Sequence, residues 1–245
     1  MNISKAQIKL VRSLQLKKFR DELGLFVAEG HKCVEELQKA FELVSLYREG
    51  VNADRTAIEQ MSGLRTPQGI VGVFKKRPQI SDFRFQISDL VLALDGIQDP
   101  GNLGTIIRTC DWFGVHDIFC SPDTADCYNP KVVQATMGAL ARVRVHYTPL
   151  PEWLASQTCP IYGTLLDGRD MYEVLEQSIN RQSSIVQSSI IIMGNEGNGI
   201  SSSVRQRITV PLRIPSYPPD AETSESLNVS VATAIILAAF RRLAS

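Results

Sequence analysis

The sequence predicts an α/β protein: a mostly parallel sheet with helices on both faces, preceded by a small α/β unit. Three observations carry that prediction. From residue 90 onward, short apolar runs alternate with loops and helix-patterned segments, the order that builds parallel sheets. Loops rich in Gly, Asn and carboxylate follow these runs, where ligands meet such sheets. A polar, Pro-marked stretch from Lys75-Lys76-Arg77-Pro78 to about Ser88 separates this part from a leading unit of ~75 residues, a size that suits a module.

In chain order, residues 4–20 read as one basic amphipathic helix, with Ile8, Val11, Leu14 and Leu16 among Lys5, Lys9, Arg12, Lys17, Lys18 and Arg20. Leu25–Ala28 reads as a short strand, His31–Lys39 as a helix and Leu43–Tyr47 as a strand. Thr66-Pro67-Gln68-Gly69 is a turn before the strand Ile70–Phe74. The expected domains are therefore 1–78, a linker at 79–89, and 90–245. In the second part, strands are expected at Leu90–Leu94, Ile118–Cys120, Arg142–Tyr147, Ile161–Leu165, Ile190–Met193 and Ile208–Val210. Helices are expected at Leu103–Phe113 and Val132–Leu140, a surface loop at Ser178–Ser189, and a final apolar helix from Val229. Along that last helix, Leu227, Val231, Ile235 and Leu237 would pack the core or a partner.

The bulk numbers exclude several classes. A chain of 245 residues, 44% hydrophobic and 21% charged, is an ordinary globular composition able to bury a full core. Net charge is zero but uneven: residues 1–80 carry 14 Lys+Arg against 9 Asp+Glu, leaving 12 against 17 for the rest. A basic first part suits an anion such as nucleic acid, although a solvated charged face accounts for the charge alone. The five cysteines form no CxxC pair, and with three histidines they offer no metal spacing, so no metal is expected. An odd cysteine count and an amphipathic start fit a cytoplasmic protein. The apolar run Val229–Phe240 is too short for a bilayer.

Three loops stand out as one divided site. They are Asp99-Pro100-Gly101-Asn102-Leu103-Gly104 with Arg108 beyond, Met193-Gly194-Asn195-Glu196-Gly197-Asn198-Gly199-Ile200, and Glu225-Ser226-Leu227-Asn228-Val229-Ser230-Val231-Ala232. Neither glycine loop has the G-x-G-x-x-G or P-loop order, which weakens a nucleotide-dependent dehydrogenase reading.

Taken together, these loops resemble the SpoU/TrmH family of RNA ribose 2′-O-methyltransferases, within the SPOUT superfamily. Asp99–Thr109, Gly194–Ser201, Ile214-Pro215 and Glu225–Ala232 fall in the family's order, with Thr136–Leu140 as a weaker segment. The pieces Phe26–Gly30 and Thr66–Gly69 resemble the RNA substrate-binding domain often fused to it. The resemblance implies a deep trefoil knot, S-adenosylmethionine as methyl donor, a homodimer, and RNA as substrate, rRNA ahead of tRNA. A non-catalytic RNA-binding or ribosome-assembly protein on the same scaffold is the alternative.

It also implies roles. Arg108 is the key position, read as an electrostatic clamp because guanidinium gives up its proton only above a pKa of roughly 12. Glu196 takes the hydroxyl proton, or else holds its loop by accepting backbone N–H groups. Asn102 orients Arg108 or the ribose, or caps the helix starting near Leu103. Ser226 and Asn228 complete the catalytic set. Leu165, Gly194, Asn195, Gly197, Ile214, Leu227 and Val229 are the cofactor contacts, and Lys5, Lys9, Arg12, Lys17, Lys18 and Arg20 the RNA contacts. The nine residues Ser216–Ser224 depart from the family's shorter connection and read as a surface insertion or a lid.

Overall fold

A computed structural model describes residues 3–78, 87, 89–180, 188–218 and 226–242. The linker at 79–89, the loop Ser178–Ser189 and the insertion Ser216–Ser224 lie largely outside the described residues.

The chain divides into two compact units. The first takes in residues 1–78 together with 103–108 and 126–142. Its elements are α1 (Lys5–Ser13), α2 (Lys17–Leu23), β1 (Leu25–Glu29), α3 (His31–Gln38), β2 (Leu43–Arg48), α4 (Arg55–Met61) and β3 (Ile70–Lys75). The strands form an antiparallel sheet in the order β1-β3-β2. Val11 and Leu14 from the helical start join Val27, Tyr47, Ile58, Met61, Val71 and Val73 in one apolar cluster. From the 126–142 stretch, α6 (Pro130–Thr136) packs on β1.

The single helix expected over 4–20 is two helices, and the reason is a buried arginine. Arg20 is 1% exposed. Its Nη1 donates to the carbonyls of Leu14 and Gln15, both at 2.9 Å, satisfying acceptors that the end of α1 leaves free. Its Nε and Nη2 reach Asp126 Oδ2 at 3.1 and 2.7 Å. Leu16 is extended between the helices. The helix expected at Val132–Leu140 likewise stops at Thr136, because Met137 and Gly138 both take left-handed backbone before a short 3-10 turn at Ala139–Ala141.

The second unit holds β4 (Leu90–Asp95), β5 (Asp117–Cys120), β6 (Arg144–Tyr147), α7 (Leu150–Ala155), β7 (Ile161–Asp170), α8 (Met171–Asn180), β8 (Ser189–Gly194), α9 (Ser202–Arg205), β9 (Val210–Arg213) and α10 (Val229–Arg242). The long helix α5 (Pro100–Trp112) spans the division, contributing to both units. All six strands run parallel, in the order β6-β5-β4-β8-β7-β9. The parallel sheet flanked by helices bears out the expected class. β4 is buried along its whole length and β8 along nearly all of it, as central strands covered on both faces must be. Phe119 stacks on Trp153 at 4.0 Å within the core formed with Val91, Ala93, Leu150, Ile190 and Ile192. The strand expected at 161–165 runs on to Asp170, with a register break between Thr164 and Arg169 against β9. The strand expected at 208–210 is shifted to Val210–Arg213; Pro211 is tolerated there because β9 is an edge strand.

Candidate active site

The first two loops leave the carboxyl ends of β4 and β8, the position where open parallel sheets bind ligands, and the described part of the third leads into α10. The first is fixed by Asp99, whose Oδ1 accepts from Asn102 N at 2.8 Å, with Pro100 at the first helical position. Asp99, and not Asn102, is the helix cap. That correction frees the Asn102 side chain, which sits in the first turn of α5 rather than at its boundary.

The second loop is locked by Asn195. Its Oδ1 accepts from Gly197 N at 2.9 Å and Asn198 N at 3.0 Å, and its Nδ2 donates to Gly96 O at 2.6 Å. The backbones of Asn195 and Gly199 exchange hydrogen bonds at 3.0 and 2.9 Å. Gly199 takes φ 66°, a value glycine adopts without strain. Gly194 permits the close return of the loop, since a Cβ there would overlap the Gly199 carbonyl carbon. Holding the loop through backbone N–H groups, one of two roles open to Glu196, thus belongs to Asn195.

Asn228 begins α10, with Oδ1 accepting from Ser230 N at 3.0 Å and Val231 N at 3.3 Å. Its Nδ2 donates to Asn102 Oδ1 at 3.0 Å, and Asn102 Nδ2 donates to Glu196 Oε1 at 2.7 Å. One side chain from each loop therefore joins a single relay, Asn228 to Asn102 to Glu196. Asn102 accepts from Asn228 and donates to Glu196, while the Asn228 amide oxygen is held by the first turn of α10, which fixes the orientation of both amides. Glu196 Oε2 has no donor among the described residues.

Arg108 lies on the same helix as Asn102, six residues and about 9 Å further along. It is exposed and makes no hydrogen bond or ion pair among the described residues. Ser226 is exposed, and its hydroxyl has no partner among the described residues.

Of the expected cofactor contacts, Gly194, Asn195, Gly197 and Ile214 lie at or just beyond the carboxyl ends of β8 and β9, and Leu165 lies midway along β7. Leu165 and Ile214 are half-buried, and Leu227 is 48% exposed. Val229 has a buried side chain, and its carbonyl accepts from Thr233 Oγ1 at 2.7 Å. Among the expected RNA contacts, Lys5, Lys9, Arg12, Lys17 and Lys18 are exposed, whereas Arg20 is buried in its ion pair and cannot meet a phosphate. Lys17 is engaged by Asp21 at 2.5 Å.

Two supporting residues escaped the sequence reading. Asp95, buried at the end of β4, accepts from Ser201 N at 2.7 Å and ties the second loop to the central strand. Ser121 Oγ accepts from Gly96 N at 2.8 Å. A carboxylate closing an otherwise apolar strand, Leu-Val-Leu-Ala-Leu-Asp, was the available signal for the first. Among the described residues no group of three His, Cys, Asp or Glu side chains is placed to hold a metal.

Fold and site define an α/β protein with its polar relay at the carboxyl ends of a parallel sheet. The chain belongs to the SpoU rRNA methylase family, whose model matches residues 89–238. A second model, the MRM3-like substrate binding domain, matches residues 5–49. The chain is 29% identical to the 23S rRNA (guanosine(2553)-2'-O)-methyltransferase RlmP of Bacillus subtilis, covering 94% of each. It is 32% identical to the 23S rRNA (guanosine-2'-O-)-methyltransferase RlmB of Neisseria meningitidis over 78% of this chain and 75% of that one. Among solved structures, an AdoMet-bound rRNA methyltransferase from Sinorhizobium meliloti superposes with a TM-score of 0.83 at 28% identity, covering 99% of this chain and 97% of that one. The family resemblance of the three loops is borne out.

Proposed function

We propose that this protein is an S-adenosylmethionine-dependent methyltransferase acting on a ribose 2′-hydroxyl of ribosomal RNA. The observation that carries this reading is the relay from Asn228 through Asn102 to Glu196, built from the three loops that also carry the family's motifs. The names and bound cofactor of the relatives agree with it.

The residues at the strand ends fit the cofactor. A Cβ at Gly197 would meet only Asn195 Oδ1, at 3.6 Å, and one at Gly199 would meet nothing within 4 Å, so this backbone is open to a ligand. Leu165, Ile214 and Leu227 supply apolar surface for an adenine, with main-chain groups of Gly194 and Ile214 to read its edge. When bound, S-adenosylmethionine supplies a sulfonium methyl for in-line displacement.

The chain's own residues do the remaining work. Asn102 holds one carboxylate oxygen of Glu196, leaving the other to accept the 2′-hydroxyl proton directly or through water. Arg108 stabilises the developing alkoxide while gripping a neighbouring phosphate. Asn228 fixes the Asn102 amide, and Ser226 adds a hydroxyl beside it in sequence. The basic face of α1, with Lys5, Lys9 and Arg12, holds the RNA backbone, joined by Lys17 and Lys18.

The finer features follow the family reading. Residues 1–78 serve as the RNA-holding domain, 79–89 as linker and 90–245 as the methyltransferase domain, knotted through its C-terminal segment. A homodimer is supported by exposed apolar side chains on α5 and α10, among them Trp112 at 85% and Val231 at 49% exposure. Five free cysteines suit a reducing cytoplasm, and no described helix is long and apolar enough to cross a membrane.

Ligand-induced stabilisation tests the cofactor assignment. S-adenosylhomocysteine at about 100 times its Kd adds about 2.7 kcal/mol, a rise in Tm of roughly 5–10 °C, while NAD adds nothing. A Tm unmoved by S-adenosylhomocysteine would contradict the proposal.

A further inference from the structure

We propose that the cleft between α1 and α4 is a subsite for one unpaired nucleotide of the substrate RNA. Lys5, Lys9 and Arg12 take its phosphates and the Gln60 amide meets its base edge. The inference deepens the reading of the substrate as RNA and rests on it.

Two adjoining cavities form the cleft. One, of about 250 Å³, is lined by Lys5, Ile8, Lys9, Arg12 and Gln60. The other, of about 450 Å³, is lined by Arg12, Gln15, Glu59, Gln60, Met61 and Ser62. Arg12 and Gln60 belong to both walls. The larger falls in the range of roughly 300–1,000 Å³ in which small ligands are held.

The charges are arranged for an anion. Positions 5, 9 and 12 recur at helical spacing, so the three cations share one face of α1 over about 10 Å. None of the three has an acidic partner among the described residues. Neighbouring cations do: Lys17 and Lys76 pair with Asp21, Lys39 with Glu36, Arg55 with Glu59 and Lys75 with Glu42. The one carboxylate in the lining, Glu59, is thus already engaged by Arg55 at 2.9 Å. Three like charges on one helix face with no acidic partner among the described residues attract an external anion.

The cleft also offers recognition groups and a rigid wall. The Gln60 amide makes no hydrogen bond among the described residues, so donor and acceptor both remain for a base edge. Ile8, partly exposed in the lining, gives apolar surface for a base face. Buried Glu29 accepts from Ser62 Oγ and, at 2.8 Å, from Gly63 N, which fixes the loop that closes the cleft. Duplex RNA is read by shape across about 16 base pairs, whereas cations beside an amide in a short concave cleft suit a splayed nucleotide.

The test uses the full chain with S-adenosylhomocysteine present. Anisotropy of a labelled single-stranded RNA, and of a duplex of the same sequence, is followed across salt concentrations. The triple variant Lys5→Ala, Lys9→Ala, Arg12→Ala should lose at least roughly ten-fold in affinity, and its salt slope should fall by about 2, from about 0.7 per lost phosphate contact. Lys39→Ala with Lys75→Ala, removing paired cations, should change neither. Gln60→Ala should keep the slope and compress the affinity differences among homopolymeric strands. A triple variant with unaltered affinity and slope, or a wild-type protein that prefers the duplex, would overturn the inference. S-adenosylhomocysteine affinity, read on the same samples, separates the two claims. Cofactor binding with RNA affinity indifferent to the triple variant sinks the cleft alone. Cleft-dependent RNA binding without cofactor binding sinks the methyltransferase reading and leaves the cleft standing.

Discussion

At the scale of single residues, Asn102 shows what a side chain can do once its neighbour takes over the capping. With Asp99 bonded to its backbone N–H, the Asn102 amide is spent wholly on Glu196 and Asn228. Asn102→Ala should therefore reduce methyl transfer more than stability, because the cap remains. Glu196→Gln should lower kcat by roughly 10²-fold or more, with S-adenosylhomocysteine affinity nearly unchanged, if the carboxylate accepts the proton. A variant with wild-type kcat would remove Glu196 from the reaction. Arg20 is the opposite case, a charged residue whose place is structural. Breaking its buried pair with Asp126 by Arg20→Ala should cost about 3–5 kcal/mol in urea unfolding. Asp117 gives a pH signature. Burial works to raise its pKa, but hydrogen bonds from His146 and Arg144 outweigh it and hold the carboxyl below the usual range. A lowered folded-state pKa adds stability above the unfolded value of about 3.9, lost as pH falls through the folded one. The Tm deficit of Asp117→Asn should hence be full at neutral pH and shrink below about pH 4.

At the scale of elements, the parallel core was legible because short apolar runs, β4 and β8 among them, alternate with loops and helix-patterned segments, as buried parallel strands do. The three loops were legible because their glycines, asparagines and carboxylates sit at strand ends. What escaped depended on distant partners. The break between α1 and α2 needs Arg20 to turn inward toward Asp126, which lies 106 residues away in sequence. The inward face of α10 is Val229, Thr233, Ile236, Leu237 and Phe240; of the row read as packing the core or a partner, Leu237 turns inward while Leu227 and Val231 are exposed. In a helix so uniformly apolar, spacing alone does not say which face turns inward; here Thr233 is buried because its hydroxyl bonds Val229 O. The glycines of the second loop separate by what surrounds them. A Cβ on Gly194 would strike the Gly199 backbone, whereas one on Gly197 meets nothing closer than 3.6 Å. Gly194→Ala should disrupt the loop and weaken S-adenosylhomocysteine binding at least roughly ten-fold, since backbone cannot yield as a side chain does. Gly197→Ala should leave the Tm unaltered, so any loss of cofactor affinity there reports direct approach of the ligand.

At the scale of the whole molecule, the uneven charge finds its physical place. The excess of cations in the first 80 residues includes the unpaired row on α1, while the polar relay sits on the parallel sheet of the second unit. A chain that both holds RNA and transfers a methyl group needs these two capacities, and the account assigns one to each. Apolar side chains left exposed on α5 and α10 should be covered in a dimer, so sedimentation equilibrium should give twice the chain mass of 27.2 kDa. A single-chain mass at micromolar concentration would contradict that expectation. The most direct test of the central claim is methyl transfer from labelled S-adenosylmethionine to unmodified ribosomal RNA, with the product digested to nucleosides and resolved by mass spectrometry. The account predicts one 2′-O-methylated nucleoside, formed by the wild type and reduced roughly 10²–10³-fold by Arg108→Ala. Label appearing on a base rather than a ribose, or transfer indifferent to Arg108, would contradict it.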